Sequence, residues 1–368
     1  MKRFLPMVLV LITCVAGCAL HRNAPISSEL EKMIGQMVMV GFRGLEAGPE
    51  SPVASDIRAG VGGIILFSRD CVTNSTVRNI SNSEQLGQLN RSLQSYAATP
   101  LFVAVDQEGG IITRLTREAG FPQTPSAAEL GNSGDLSAAF RAGLTTGRTL
   151  RSVGINMDFA PVVDVNRNAV NPVIAGLQRS FSDDPATVAE FAGAFIDGLH
   201  SEGILSCLKH FPGHGSSVGD SHQGFTDVTR TWNSDELFPF EQVIRAGKAD
   251  MVMTAHIFND RLDRKYPATL SRRVITGMLR EGMGYDSIVI TDDMGMGAIS
   301  EHYGFKDAVF RAVNAGADII LIGNNLSYEP NPGIRAIETL KELVGEGRIS
   351  EERIRSSYAR IMRAKNRI

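Results

Sequence analysis

Five side chains able to move protons, bind hydroxyls or ligate a metal fall within fourteen residues, from Lys209 to His222. They are Lys209, His210 and His214 in the run Lys209-His210-Phe211-Pro212-Gly213-His214-Gly215, then Asp220 and His222. His210, His214 and His222 are spaced by four and eight. An H-x-x-x-H pair chelates zinc when a helix puts both rings on one face. Pro212 and Gly213 exclude a regular helix here, so no metal site is expected. In Asp220-Ser221-His222, the carboxylate can hold the imidazole in one tautomer and raise its basicity, which suits a general acid or base. Two unrelated solvated side chains are the alternative. A further carboxylate, Asp292, follows the apolar run Ile288-Val289-Ile290-Thr291. A charge there costs desolvation unless it has a partner or a task. It could equally cap the next helix or pair with a lysine.

Such groups need a frame. The apolar run Ile204 to Leu208 leads into the stretch, so the stretch reads as a polar loop launched from a buried strand. Short runs rich in Val and Ile recur at Met37–Phe42, Val61–Phe67, Leu101–Asp106, Ile155–Val165, Ile204–His210, Met251–Ile257, Ser287–Asp292 and Ile319–Gly323. Several are continuously apolar, as in strands buried on both faces of a parallel sheet. Amphipathic patterns lie between them. Leu86, Leu89, Leu93 and Tyr96 share one helical face, as do Val188, Phe191, Phe195 and Leu199. Further helices are expected near 137–153, 234–247, 271–282, 304–315, 333–345 and 350–366. Ser28-Glu29-Leu30-Glu31 reads as a capping box opening the first helix. Gly154, Gly203, Gly284 and Gly316 stand between helix and strand, where a C-cap is expected.

Eight strands alternating with helices suggest a (β/α)8 barrel, with a doubly wound open sheet as the rival. No G-x-G-x-x-G follows the first strand, which removes the rival's commonest cofactor. Asp106, Asp164, Lys209, His210, His256, Asp292 and Asn324 lie at or just past strand ends. A barrel brings those ends to one mouth.

The N-terminus reads as a separate segment. Lys2 and Arg3 precede an apolar run from Phe4 to Val15, which ends at Val15-Ala16-Gly17-Cys18. That is a secretory signal over 1–17. Its end resembles a bacterial lipobox, with Cys18 as the lipidated residue and 18–27 as a tether; a plain signal with an incidental Cys18 is the alternative. Cleavage removes two positive charges and no negative ones, moving the formal charge from -3 to -5. No Lys/Arg run points to nucleic acid. Cys71 and Cys207 are too few for a disulfide framework, and Cys207 reads as a buried thiol. From 28 to 368 no Pro/Ser-rich linker or low-complexity tract interrupts the chain, so one domain is expected.

The run Lys209–Gly215 with Asp220-Ser221-His222 resembles the signature of glycoside hydrolase family 3, specifically its single-domain β-N-acetylglucosaminidases. The likeness continues in Val105-Asp106-Gln107-Glu108-Gly109-Gly110 with Arg114, and in Asp158-Phe159-Ala160-Pro161-Val162-Val163-Asp164-Val165. It recurs in Asn171-Pro172-Val173-Ile174 with Arg179-Ser180-Phe181, in Met253-Thr254-Ala255-His256, and in Thr291-Asp292-Asp293-Met294. Two departures stand out. The stretch from Ile174 to Arg179 is longer than the family pattern, and Met294-Gly295-Met296 replaces a more usual Leu-Ser-Met.

The resemblance implies a retaining exo-β-N-acetylglucosaminidase. Asp292 would be the nucleophile, and His222 the general acid and then base, oriented by Asp220. A histidine would thus stand where the usual retaining scheme has a second carboxylate. Asp106, Arg114, Arg179, Lys209 and His210 would hold the sugar. His214 would support its loop, and His256 would stand behind Asp292. No metal or organic cofactor is implied. The expected partners are a β-N-acetylglucosaminide and, through a lipid on Cys18, a membrane at the cell envelope. The chain reads as a monomer that binds no nucleic acid. The rivals are a β-glucosidase-like hydrolase of the same family, a glycosyl transferase to phosphate, and a catalytically silent glycan-binding lipoprotein.

Overall fold

A computed structural model describes residues 26–222 and 224–368. The signal segment 1–17, Cys18 and most of the proposed tether lie outside the described residues. Eight short strands form the frame: β1 Val38–Gly41, β2 Gly63–Ile65, β3 Phe102–Val105, β4 Met157–Asp158, β5 Leu205–Phe211, β6 Met251–Thr254, β7 Ile288–Thr291 and β8 Ile320–Ile322. Every residue in them is buried, because one face meets the barrel interior and the other the helices. Neighbours pair in parallel around the ring, with Val38 opposite Ile320, Ile64 opposite Val103, and Met253 opposite Ile290. A parallel bridge from Ile290 to Ile319 joins the two edge strands. The result is a nearly closed (β/α)8 barrel in one domain.

The surrounding helices are α1 Ser28–Gln36, α2 Pro52–Arg58, α3 Ser83–Ser95, α4 Ala127–Ser133, α5 Leu136–Ser152 and α6 Pro185–His200. They continue as α7 Phe238–Arg245, a wide-turned helical segment Arg273–Gly282, α8 Gly297–Ser300, α9 Phe305–Ala315, α10 Pro332–Gly345 and α11 Glu351–Lys365. Gly154, Gly203, Gly284 and Gly316 all have positive φ, as expected of helix-terminating positions.

Three local expectations need correction. The cap of α1 is Ser27, whose hydroxyl accepts from the Leu30 N–H, so the helix opens one residue before the Ser28 reading. The fourth strand ends at Asp158 rather than Val165, because Pro161 offers no N–H to a ladder; beyond it Val162 still bridges Lys209. Helices α2, α4 and the short α8 were not anticipated. Yet α4 opens on a capping box, Ser126 with Glu129, that the sequence carries.

The mouth at the strands' N-terminal ends is plugged from α11. The Lys365 ammonium donates to the Gln36 side chain and to the carbonyls of Gly62 and Pro100, at 2.6, 2.7 and 2.6 Å. The opposite mouth stays open. Among the described residues no helix is long and apolar enough to cross a membrane. Cys207 is buried and Cys71 exposed, and both are free thiols.

Candidate active site

Residues at the C-terminal ends of β3 and β5 form a buried charge cluster. Lys209, near the end of β5, places its ammonium 2.7 Å from Asp106 and 2.6 Å from Glu108. Asp106 directly follows β3. Glu108 sits in a short antiparallel hairpin, Gln107–Gly109 with Ile112–Thr113, which also aims Arg114 back at Asp106 at 3.3 Å. Arg179 closes the group with a fork onto Glu108, at 2.8 and 2.7 Å, and donates to the Val173 carbonyl. Burial alone would raise the Asp106 and Glu108 carboxyls. The cations reverse this: Lys209 and Arg114 hold Asp106 below its usual range, and Arg179 with Lys209 holds Glu108 at about 2. Both therefore stay ionised and can accept bonds from sugar hydroxyls.

The balance makes Lys209 structurally costly to lose. Lys209→Met leaves Asp106 with only the longer, partly exposed Arg114 contact at 3.3 Å. The expected loss of stability is about 3 kcal/mol, read by urea unfolding. A loss below about 1 kcal/mol would show that the cluster is not held by this ammonium.

Beneath the cluster, Asp164 is fully buried. It accepts from the His210 ring Nδ1 at 2.7 Å and from the His214 backbone N–H at 2.8 Å. Burial would raise this carboxyl, but His210 and His214 bring it below the usual range. The His210 Nε2 is 3.3 Å from the Arg179 guanidinium. Because Arg179 only donates, Nε2 carries the lone pair and Nδ1 the proton.

The loop beyond β5 is braced at three points. The Asn171 side chain donates to the His214 and Gly215 carbonyls, at 2.8 and 3.1 Å. Gly215 packs so tightly that a Cβ would lie 1.7 Å from the Val165 carbonyl oxygen. At Gly213, with φ of +117°, a Cβ would meet the buried Glu236 side chain at 2.6 Å. Glu236 accepts from the Ser216 N–H, and burial pushes its carboxyl up to about 7. His214 faces Ser221 at 3.0 Å, and burial with the nearby His210 takes its ring down to about 4, so it is a neutral support for the loop.

The loop ends in Asp220 and His222. One Asp220 oxygen takes both the His222 backbone N–H, at 2.9 Å, and its ring Nδ1, at 2.8 Å. A carboxylate accepts, so Nδ1 carries the proton and Nε2 is left for chemistry. The His222 side chain is 50% exposed, which leaves it open to a bound ligand. Its backbone is tied to the start of α8, where Gly297 and Ala298 donate to the carbonyls of His222 and Ser221.

Asp292 leaves the end of β7. Burial would raise its carboxyl, but His256, His210 and His222 reverse that, so it stays ionised. Next to it, Asp293 accepts from the Gly295 and Gly323 N–H groups. Burial, with Asp292 adding, lifts Asp293 to about 6. His256 stands behind this pair. Its Nε2 lies 2.9 Å from the Asp293 carbonyl and its Nδ1 2.8 Å from the Thr269 hydroxyl. The carbonyl fixes the tautomer, with the proton on Nε2, and burial lowers the ring's pKa; the contact holds the Asp293-Met294 peptide in place beside Asp292.

A cavity of about 560 Å³ gathers Asp106, Glu108, Arg114, Arg179, Lys209, His210, Asp220, His222 and Asp292. Its apolar walls include Phe159, Met253 and Leu321. All eight residues expected to bind sugar or do chemistry line this one space. His214 and His256 are not among the residues that line it. The extra length before Arg179 is absorbed by a tight turn, Ala175–Leu177, with Gln178 at a left-handed φ of 57°. The three histidines of the loop stretch are engaged separately, by Asp164, Ser221 and Asp220, rather than converging on one point. Glu108, Asp164 and Glu236 carried no role from sequence, and the hairpin that positions Glu108 shows only in the structure.

A model described as the glycosyl hydrolase family 3 N-terminal domain matches residues 29–364. Beta-hexosaminidase A of Pseudoalteromonas piscicida is 32% identical over 94% of the chain, which spans 62% of that relative's length. Beta-hexosaminidase LpqI of Mycobacterium tuberculosis is 36% identical over 86% of the chain and 79% of its own length. Among solved structures, a family 3 β-N-acetylglucosaminidase from Paenibacillus superposes with a TM-score of 0.84, at 39% identity, over 92% of this chain and 62% of that one. A β-N-acetylhexosaminidase from Beutenbergia cavernae gives 0.82 at 28% identity, over 94% of this chain and all of its own.

Proposed function

Given that the chain belongs to glycosyl hydrolase family 3, we propose that it is a retaining exo-β-N-acetylglucosaminidase. It removes terminal N-acetylglucosamine from peptidoglycan fragments or chitin-like oligosaccharides. One observation carries the reading. A single cavity holds an ionised Asp292, the charged cluster of Asp106, Glu108, Arg114, Arg179 and Lys209, and a tautomer-fixed His222.

In the proposed mechanism, Asp106, Lys209, Arg179 and His210 grip the hydroxyls far from the scissile bond, and Arg114 steadies Asp106. Asp292 attacks the anomeric carbon as His222 gives its Nε2 proton to the leaving oxygen. The C–O bond breaks, and a glycosyl ester on Asp292 remains. Water then attacks the anomeric carbon, the bond from that carbon to the Asp292 oxygen breaks to restore the carboxylate, and His222 takes the water's proton. Asp220 supports the imidazolium before the first step and after the second. A histidine titrates near neutrality (pKa about 6.5 when unperturbed), so it can serve in both directions without the burial a carboxylic acid needs. Phe159, Met253 and Leu321 form an apolar floor that excludes water beneath the ring.

Turnover of nitrophenyl N-acetylglucosaminide, set against nitrophenyl glucoside, tests the reading. At least a hundredfold preference for the first is expected in kcat/KM, because a pocket built for a substrate's polar group rejects a substrate that lacks it. Equal rates would favour the β-glucosidase-like alternative, and no turnover of either would favour a silent glycan-binding protein. Faster turnover in phosphate than in a phosphate-free buffer would point to phosphorolysis.

Lipidation of Cys18 and residence at the cell envelope belong to the same proposal. They rest on the lipobox-like Val15-Ala16-Gly17-Cys18 alone. Mass spectrometry of the mature N-terminus checks them, and an unacylated Cys18 would overturn them.

A further inference from the structure

A second cavity of about 500 Å³ adjoins the first and shares His222, Asp293 and Leu326 with it. We propose that it is the leaving-group subsite, and that its charge selects a neutral sugar over one bearing a free carboxylate. The inference rests on the reading of the first cavity as the N-acetylglucosamine site.

The barrel's order places the second cavity. The hydroxyl-binding cluster lies on β3 and β5 and the hairpin between β3 and β4, while Asp292 lies on β7. In an eight-membered ring β3 stands opposite β7. A sugar held at the cluster with its anomeric carbon at Asp292 therefore points its leaving group out over the loops after β7 and β8. The second cavity is lined from those two loops, by Asp293, Glu301, Tyr303 and Phe305 after β7 and by Glu329 and Arg335 after β8. His222, the proposed donor of the leaving group's proton, borders both spaces, as a group working on the bond between two sugars must.

The lining is unlike the first cavity in charge. Its one guanidinium, Arg335, is already bound to Glu329 at 2.9 and 2.5 Å and lies over the Phe305 ring at 3.6 Å. Glu301 forms no ion pair among the described residues, and its carboxylate lies near Gly224 of the His222 loop. Asp293, which lines both cavities, is the other carboxyl with no cation bound to it among the described residues. No unpaired lysine or arginine among the described lining residues is left to receive an anion. A leaving sugar with a free lactyl carboxylate would meet like charge there, while an N-acetylglucosamine unit would meet the Tyr303 and Phe305 rings.

The test compares kcat/KM for the β-1,4-linked N-acetylglucosamine disaccharide with that for the same disaccharide carrying a lactyl carboxylate on its reducing unit. Both are measured in the wild type, Glu301→Gln and Glu301→Lys. The readout is a ratio within each protein, so a general loss of folding or catalysis cancels. A wild-type preference for the neutral disaccharide of about tenfold is expected, shrinking in Glu301→Gln and vanishing or inverting in Glu301→Lys. Equal use of the two disaccharides, or a preference that Glu301→Lys leaves unchanged, would overturn the subsite while leaving the N-acetylglucosaminidase reading intact. No cleavage of either disaccharide or of nitrophenyl N-acetylglucosaminide would sink both.

Discussion

Replacing Asp292 with alanine should lower kcat for nitrophenyl N-acetylglucosaminide by about 10⁴-fold or more, the scale on which removal of a covalent nucleophile is felt. The affinity for N-acetylglucosamine should change by less than about threefold, because the groups that grip hydroxyls sit across the barrel from Asp292. Kinetics and calorimetric titration on the same preparation separate the two. A fall of less than tenfold would move the nucleophile elsewhere, with Glu108 and Asp106 the other ionised carboxylates deep in the cavity. The arrangement argues against Glu108, since its oxygens are taken by Arg179 and Lys209. Asp292 has no ion pair with a lysine or arginine among the described residues; one of its oxygens accepts from the Asp293 N–H at 2.8 Å, which leaves the other to attack.

The second large effect concerns His222 and depends on the leaving group. His222→Ala should lower kcat for an N-acetylglucosamine disaccharide by about 10³-fold, because a sugar alkoxide cannot leave without a proton. With nitrophenyl N-acetylglucosaminide the first step needs little acid help, but the second step still needs a base. Rapid mixing should therefore show a burst of nitrophenol followed by slow turnover. Equal losses on both substrates, with no burst, would mean that His222 holds the loop and moves no proton. Asp220→Ala should reproduce part of the loss, since an untethered imidazole samples the wrong tautomer.

How much of this was legible in the sequence differs from element to element. The barrel was legible because strands such as Val38–Gly41 and Ile288–Thr291 are apolar on both faces, and only a parallel sheet under helices asks for that. The places of Asp106, Lys209, His210 and Asp292 followed from the rule that strand ends share a mouth. What the sequence hid were partnerships across long separations. Glu108 meets Arg179 across 71 residues, and its task depends wholly on that meeting. Asp164 was visible as a strand-end carboxylate, but not as the group that fixes the His210 ring. Glu236 reads as an ordinary capping residue, and nothing in its neighbourhood says that it packs against Gly213. The fourth strand was read too long because Val162, Val163 and Val165 look like strand residues, while Pro161 ends the regular ladder.

The central claim is that Asp292 forms a covalent bond to the sugar. Fluorination of an N-acetylglucosamine donor slows both steps, and an activated leaving group restores the first, so the intermediate accumulates. After incubation, proteolysis and mass spectrometry of the peptides, one added sugar on Asp292 is the expected result. A sugar on another residue would contradict the account. So would continued turnover with no labelled peptide, because the substrate's own acetamido group would then be supplying the nucleophile.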